Sequence, residues 1–232
     1  MGGWTSGYTC LVVNTGRHLV VVDTGAGALA PSTGQLLKNL QAISIAPGDI
    51  DTVILTHGHP DHIGGVTDDR GQIIFRKARH FMWKAEWDFW TSSQAEATLD
   101  EHSRAVLVGV AQKNLLPVRM QLEVLSGEEE IVPGTKAMAA SGNTPGQMVL
   151  EITSGDQTML YVSDVVLHPV HLEQPEWHAA VDLIPGEIVT TRRRLLEKAA
   201  SERLLVHAFH FPFPALGRVV TRGDAWKWEA VE

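Results

Sequence analysis

One cysteine among 232 residues, Cys10, excludes an internal disulfide and any zinc site built from several thiolates. So little thiol fits a reducing cytoplasm, which is the expected location. Cys10 itself lies in the apolar run Cys10-Leu11-Val12-Val13 and reads as a small core residue. No apolar stretch approaches the roughly 18–20 residues needed to cross a bilayer, so no membrane partner is expected. Met1-Gly2-Gly3-Trp4-Thr5-Ser6-Gly7 lacks a basic region followed by an apolar one, which predicts no secretory signal. Basic charge is scarce too: 19 Lys and Arg stand against 27 Asp and Glu, a net charge of −8. That balance argues against a nucleic-acid partner. The one basic cluster, Arg192-Arg193-Arg194, sits in a helical pattern with Leu195, Leu196 and Glu197 and reads as a solvated helix face. No Gly-x-Ser-x-Gly nucleophile elbow occurs either.

Histidine, by contrast, is concentrated. His57-Gly58-His59-Pro60-Asp61-His62 places three imidazoles and a carboxylate in six positions, followed by Ile63-Gly64-Gly65. Imidazole nitrogen and carboxylate oxygen are the ligands that zinc and other first-row divalent metals take. Thr52–Thr56 reads as a buried strand, so His57 and His59 leave its end pointing the same way. Asp61 and His62 then fall where a short helix begins, free to face a second ion. Four ligands do not complete two ions, so others must come from later in the chain. Asp164 ends the run Met159–Ser163 and is one candidate, with capping of the next turn as its other reading. His210, in His210-Phe211-Pro212-Phe213-Pro214, follows the apolar strand around Val206 and is the second. His207 reads as a packing or hydrogen-bonded residue.

Strands are expected at Cys10–Val13, His18–Asp23, Thr52–Thr56, Gln72–Phe75, Met120–Leu125, Lys136–Ala140, Met148–Ile152, Thr158–Ser163 and Arg203–Ala208. Helices are expected at Gly34–Ile43, Lys84–Thr91, about Gln94–Asn114, and Gly186–Ala200. A group of strands with helices occurs once in each half, which predicts an α/β fold of two packed sheets with helices outside. The whole, residues 1–232, is expected to be a single domain whose pseudo-halves meet near the polar turn 126–130.

Taken together, these motifs resemble a known family. His-x-His-x-Asp-His, Gly142-Asn143-Thr144-Pro145-Gly146, Ser163-Asp164, His210-Phe-Pro-Phe-Pro and the early Val22-Asp23-Thr24-Gly25 turn look like the ordered motifs of the metallo-β-lactamase-fold hydrolases. The Phe-Pro-Phe-Pro-Ala-Leu-Gly loop and the Pro133-Gly134 turn look most like the branch of methyl-parathion-hydrolase-like enzymes and lactonases. The resemblance implies an αββα sandwich, a homodimer, and zinc as cofactor, one or two ions, with manganese or iron as other occupants. One ion would take His57, His59, residue 143 and Asp164. The other would take Asp61, His62, Asp164 and His210, with Asp164 between them and Asp23 orienting a ligand imidazole.

The chain departs from that pattern at 143 and 147, where the family's histidines are Asn143 and Gln147. Asn143 falls on a ligand position and Gln147 on a supporting one. An amide oxygen is a weaker zinc ligand than imidazole and suits manganese or magnesium better. The expected activity is hydrolysis of a small ester, lactone or phosphotriester by metal-activated water, with Asp61 and Asp164 as candidate catalytic carboxylates. Phe211, Phe213 and His168 are candidate substrate contacts, whereas Trp83, Trp87 and Trp90 read as core. His171 reads as an ordinary loop histidine. A non-catalytic binding module is the alternative that the two amides favour. A nuclease and an iron dioxygenase are the others.

Overall fold

Leu19-Val20-Val21-Val22 is a run with no polar break, and such runs form strands covered on both faces. In the computed structural model, which describes residues 6–231, it is the second strand of a five-stranded mixed sheet. The strands are β1 (Leu11–Asn14), β2 (Leu19–Val22), β3 (Thr52–Ile54), β4 (Arg79–Trp83) and β5 (Leu122–Leu125), in that spatial order. β1 is antiparallel to β2, and all later neighbours are parallel. The helices of this part are α1 (Leu36–Ala42), α2 (Pro60–Ile63), α3 (Lys84–Thr91), α4 (Ser93–Thr98), α5 (Glu101–Ser103) and α6 (Gly109–Val118). Val20, Val21, Val22, Val53, Ile54 and Met82 are wholly buried. Each such side chain contributes about 1.5–3 kcal/mol of hydrophobic stabilisation. Met1–Thr5, where most of the leader reading falls, lie outside the described residues.

The five-stranded sheet belongs to a compact unit of Cys10–Ser126, and the chain before Cys10 groups with the part after Ser126. The second compact unit holds a seven-stranded mixed sheet in the order β12-β11-β10-β9-β8-β7-β6. Its strands are β6 (Glu129–Val132), β7 (Thr135–Ala139), β8 (Met148–Ser154), β9 (Gln157–Tyr161), β10 (Leu205–His207), β11 (Leu216–Arg222) and β12 (Ala225–Ala230). Only the β9–β10 pair is parallel. Two helices accompany it, α7 (Val170–Glu173) and α8 (Pro185–Ser201). α8 buries Ile188, Leu195, Leu196 and Ala199, positions that recur every three to four residues along one face. Leu195 and Leu196 join Val149, Leu160, Val206 and Trp226 in one apolar core.

Four expectations need correction. Gln72–Phe75 forms no strand: only a bridge between Thr67 and Ile73 occurs. The Asp68 carboxylate takes the N–H groups of Arg70 and Gln72, so a local turn outcompetes the ladder. The helix expected over 94–114 is interrupted at Leu99, where the backbone is extended. Asp100 then opens a new helix by accepting the Ser103 N–H at 3.0 Å. β4, β6, β11 and β12 were not anticipated, although Trp226 and Trp228 alternate with Lys227 and Glu229 as a half-buried strand requires. Arg192, finally, is not on a solvated face but wholly buried, while Arg193 and Arg194 are the two that face water.

His80 in β4 is wholly buried, and its Nδ1 donates to the Ala78 carbonyl at 3.2 Å. Burial pushes its imidazole down to about 4. The unfolded chain titrates near 6.5 and therefore takes up the proton first as pH falls. Stability present above pH 6.5 is lost as pH drops toward 4, by up to about 3 kcal/mol. His80→Leu is expected to flatten that part of the stability profile in urea titrations at stepped pH. An unchanged slope would show that His80 is not the titrating group.

Candidate metal centre

Parallel pairing decides where the chemistry collects. Val22 of β2 pairs with Ile54 of β3, so both strands end at the same edge of the five-stranded sheet. Asp23 follows one end and His57 the other. Asp23 adopts φ +57, a left-handed conformation uncommon for a residue with a side chain. Its buried carboxylate accepts the Thr56 N–H at 2.8 Å and the Thr56 hydroxyl, and takes His62 Nδ1 at 2.8 Å. A carboxylate can only accept, so Nδ1 carries the proton and Nε2 the lone pair. Asp61 Oδ2 lies 4.0 Å from that Nε2. His57 packs 4.1 Å from the His62 ring and 4.8 Å from the His59 ring, centroid to centroid. His57 Nε2 and His59 Nδ1 lie 3.1 Å apart, within hydrogen-bond reach of each other, and the Thr56 hydroxyl lies 3.3 Å from His57 Nδ1.

Pro60 opens α2 at its first position, where a missing N–H is no loss, and so sets Asp61 and His62 on a rigid turn. Gly58 between the first two histidines lies against Trp90. A Cβ there would meet the indole at 2.4 Å, so this position requires glycine. Glu86 of α3, wholly buried, accepts the Gly58 N–H at 2.7 Å and the Trp90 indole N–H. It was absent from the sequence reading. A carboxylate four residues before Trp90, on the tryptophan-rich face of α3, was the available signal. Trp90 is wholly buried and touches His59 edge-on at 5.8 Å, in keeping with its reading as core.

The seven-stranded sheet repeats the device. β9 and β10 are parallel, Tyr161 beside His207, so Asp164 and His210 emerge at a common edge. β8 runs antiparallel to β9 with Leu150 opposite Tyr161, which brings the 142–147 loop to that edge as well. Asp164 lies in a 3-10 turn entered through Ser163 at φ +47. His210 Nδ1 sits 3.1 Å from the Gly7 carbonyl, and its Nε2 faces Asp164, 3.2 Å from Oδ1 and 3.3 Å from Oδ2. Nδ1 also lies 2.8 Å from the Ser6 hydroxyl; were it to donate to the carbonyl rather than accept from that hydroxyl, the Nε2 lone pair would oppose a carboxylate. A proton or a cation between them relieves that opposition.

Asn143 is wholly buried and Nδ2 donates to Asp182 at 3.0 Å, while its Oδ1 has no hydrogen-bond partner. Gln147, also buried, has no partner for either amide atom. Phe211 is a core residue packed on Trp228, with ring centroids 4.8 Å apart, whereas Phe213 is 87% exposed. His168 accepts the Val170 N–H at Nδ1 and so caps the loop before α7. His171 accepts the Leu167 N–H at Nδ1. Burial, then the nearby Arg192 charge, holds His171 down to about 4, so it stays neutral. His207 is buried and stacked on Tyr161 at 5.1 Å.

These two sets of strand-end imidazoles and carboxylates carry the donor types of a divalent-metal site. Residues 2–210 match the model of the metallo-beta-lactamase superfamily.

The chain belongs to the metallo-β-lactamase superfamily.

Its two mixed sheets flanked by helices are consistent with that superfamily's α/β sandwich. Among solved structures, it is similar to AidC, a dizinc quorum-quenching lactonase, with a TM-score of 0.89 and 28% identity over 96% of this chain and 79% of that one. It is also similar to the hydrolase AbOPH, with a TM-score of 0.91 and 26% identity over 98% of this chain and 80% of that one. A curated relative, an atrochrysone carboxyl ACP thioesterase of Aspergillus fumigatus, is 40% identical over 62 residues, 27% of this chain and 14% of that protein. The matched stretches span less than a fifth of each curated relative. Among the described residues, no helix is long and apolar enough to cross a membrane.

Proposed function

We propose that this metallo-β-lactamase superfamily member is a metal-dependent hydrolase of small esters, lactones or phosphotriesters. His57, His59 and Asp164 would hold one ion, and Asp61, His62 and His210 the other; the family pattern adds residue 143 to the first and Asp164 to the second. The observation that carries the reading is the orientation of the ligands. His62 is oriented through Nδ1 by Asp23, and His210 through Nδ1 by the Ser6 hydroxyl and the Gly7 carbonyl. The buried Asn143 Oδ1, without a hydrogen-bond partner, fits the same purpose.

A bound divalent ion would lower the pKa of a coordinated water toward about 7, which would supply a nucleophile at neutral pH. The protein's own part is to hold and orient. Asp61, partly exposed and 4.0 Å from His62 Nε2, would be the carboxylate that accepts a proton. Asp164 would contribute its carboxylate to the metal centre. The exposed Phe213, three residues past His210, offers an apolar contact to substrate, and the buried Gln147 would fill the space of the family's supporting histidine. His168, half-buried beyond Asp164, is a further substrate contact. The lactonase and hydrolase neighbours support ester-like substrates. The thioesterase relative extends the class to activated acyl groups.

The test is elemental analysis of protein purified without added metal, coupled to turnover on a panel of lactones, aryl esters, thioesters and phosphotriesters. Bound metal and turnover on at least one class are expected. Asn143→His is expected to raise metal content toward two ions per chain, because imidazole binds zinc more tightly than an amide oxygen. A native chain with no metal and no turnover would instead make this a binding module, the reading that the buried amides of Asn143 and Gln147 favour.

A further inference from the structure

The Asn143 amide is the one proposed ligand with two chemically different faces of the same shape. Its oxygen can bind a cation and its NH2 cannot, so the site works only if the amide is held one way round. We propose that Asp182 is the positioning residue that fixes this choice, presenting Oδ1 to the ion. The inference rests on the metal centre proposed above and assigns a role to a residue outside its ligand set.

Asp182 is buried and acceptor-only. Its Oδ1 takes Asn143 Nδ2 at 3.0 Å, and its Oδ2 takes the Ala179 N–H at 2.6 Å. With both oxygens engaged by donors, no rotation of Asp182 lets the Asn143 oxygen take the place of its nitrogen without setting two acceptors against each other. The backbone enforces the same register. The Leu183 N–H donates to the Asn143 carbonyl and the Ile184 N–H to the Gly142 carbonyl, both at 2.9 Å. Gly142 permits this pairing. At φ +139 a Cβ would meet the Ile188 backbone at 2.4 Å, so no other residue fits. Residues 182–184 thus grip 142–143 by two main-chain bonds and one side-chain bond. The amide oxygen is the atom left over. An amide oxygen in place of one imidazole shifts the preference of that ion from zinc toward manganese.

Asp182→Asn keeps the shape and removes the direction. An amide at 182 can bond Asn143 either way round, so NH2 faces the ion in part of the population. The experiment is calorimetric titration of the metal-stripped full chain with MnCl2 and with ZnCl2, for native protein, Asp182→Asn, Asn143→Ala and the double variant. Expected results are a roughly 10–100-fold loss of affinity for one ion in Asp182→Asn, the other ion unchanged. Asn143→Ala should weaken that same ion, and Asp182→Asn should cost nothing further in the alanine background. An equal loss in that background would show that Asp182 acts on folding alone and overturns the role. So would native-like binding by Asp182→Asn. A native chain that takes up neither ion overturns the metal centre itself and this role with it, and the native titration alone makes that distinction.

Discussion

Replacing Asp164 with alanine is expected to cut turnover on the best panel substrate at least about 1,000-fold, equivalent to about 4 kcal/mol of transition-state stabilisation. The purified variant should also retain no tightly held ion. The carboxylate is 2% exposed, emerges from a strained turn after β9, and has both oxygens within 3.3 Å of His210 Nε2. In the proposed ligand set it is the only residue that serves both ions. Asp61→Ala removes one ligand from one ion and should leave the other in place. Asp164→Asn separates charge from shape: the amide fills the same space but contributes a neutral oxygen to each ion. It should therefore fall between alanine and native in metal content. Steady-state kinetics, elemental analysis and a thermal melt on the same preparations decide the matter. An Asp164→Ala chain with native metal content and turnover within tenfold of native would reduce Asp164 to a turn-capping residue.

How much of this was legible in the sequence depends on how local each feature is. His57, His59, Asp61 and His62 share one strand-end loop and one turn of helix, so six adjacent letters carried their geometry. Asp164 and His210 were legible as strand-end residues because β9 and β10 are apolar runs with polar residues at their ends. The orienting role of Asp23 came only from the family resemblance. Nothing local marks an aspartate that sits at φ +57 and reaches a histidine 39 positions away. The break at Leu99 was hidden because Gln94–Asn114 carries helix-forming residues on both sides of Asp100, whose capping power depends on the conformation it adopts. Glu86 left a trace as a carboxylate among tryptophans. Asp182 left none, since a loop aspartate just before a helix reads as ordinary capping. Two-sided burial of short strands also defeats periodicity: Phe81 and Met82 in β4 are both buried, so nothing alternates there.

Arg192 is the residue whose burial was least visible and whose loss is expected to cost the most stability. It lies on the inner face of α8 among Ile188, Leu195 and Leu196, wholly removed from water. Its Nε donates to the Val165 carbonyl at 2.7 Å, and its Nη1 donates to the carbonyls of Pro175 and Trp177. Burial pulls its pKa down, while Asp182 and Glu176 pull it back up. Alanine at this position leaves three carbonyls without their donor, at about 1–3 kcal/mol each where water cannot enter, and opens a cavity beside α8. The expected total is about 4–5 kcal/mol, or roughly 10–15 °C in melting temperature for a chain of this size. Arg192→Lys keeps the charge but cannot fork toward carbonyls in different directions, so it should recover only part of that loss. Arg193→Ala and Arg194→Ala, on the solvated face, should stay within about 0.5–1 kcal/mol of native. The effect should reach the metal centre before unfolding does. Val165 follows Asp164 directly, and the 175–177 segment leads on to Asp182, so both the proposed shared ligand and the proposed positioning residue hang on this guanidinium. Urea denaturation of the four variants, with metal titration in the folded range, tests both links. If Arg192→Ala is no less stable than Arg193→Ala, the buried fork carries no stability, and the coupling through Val165 falls with it.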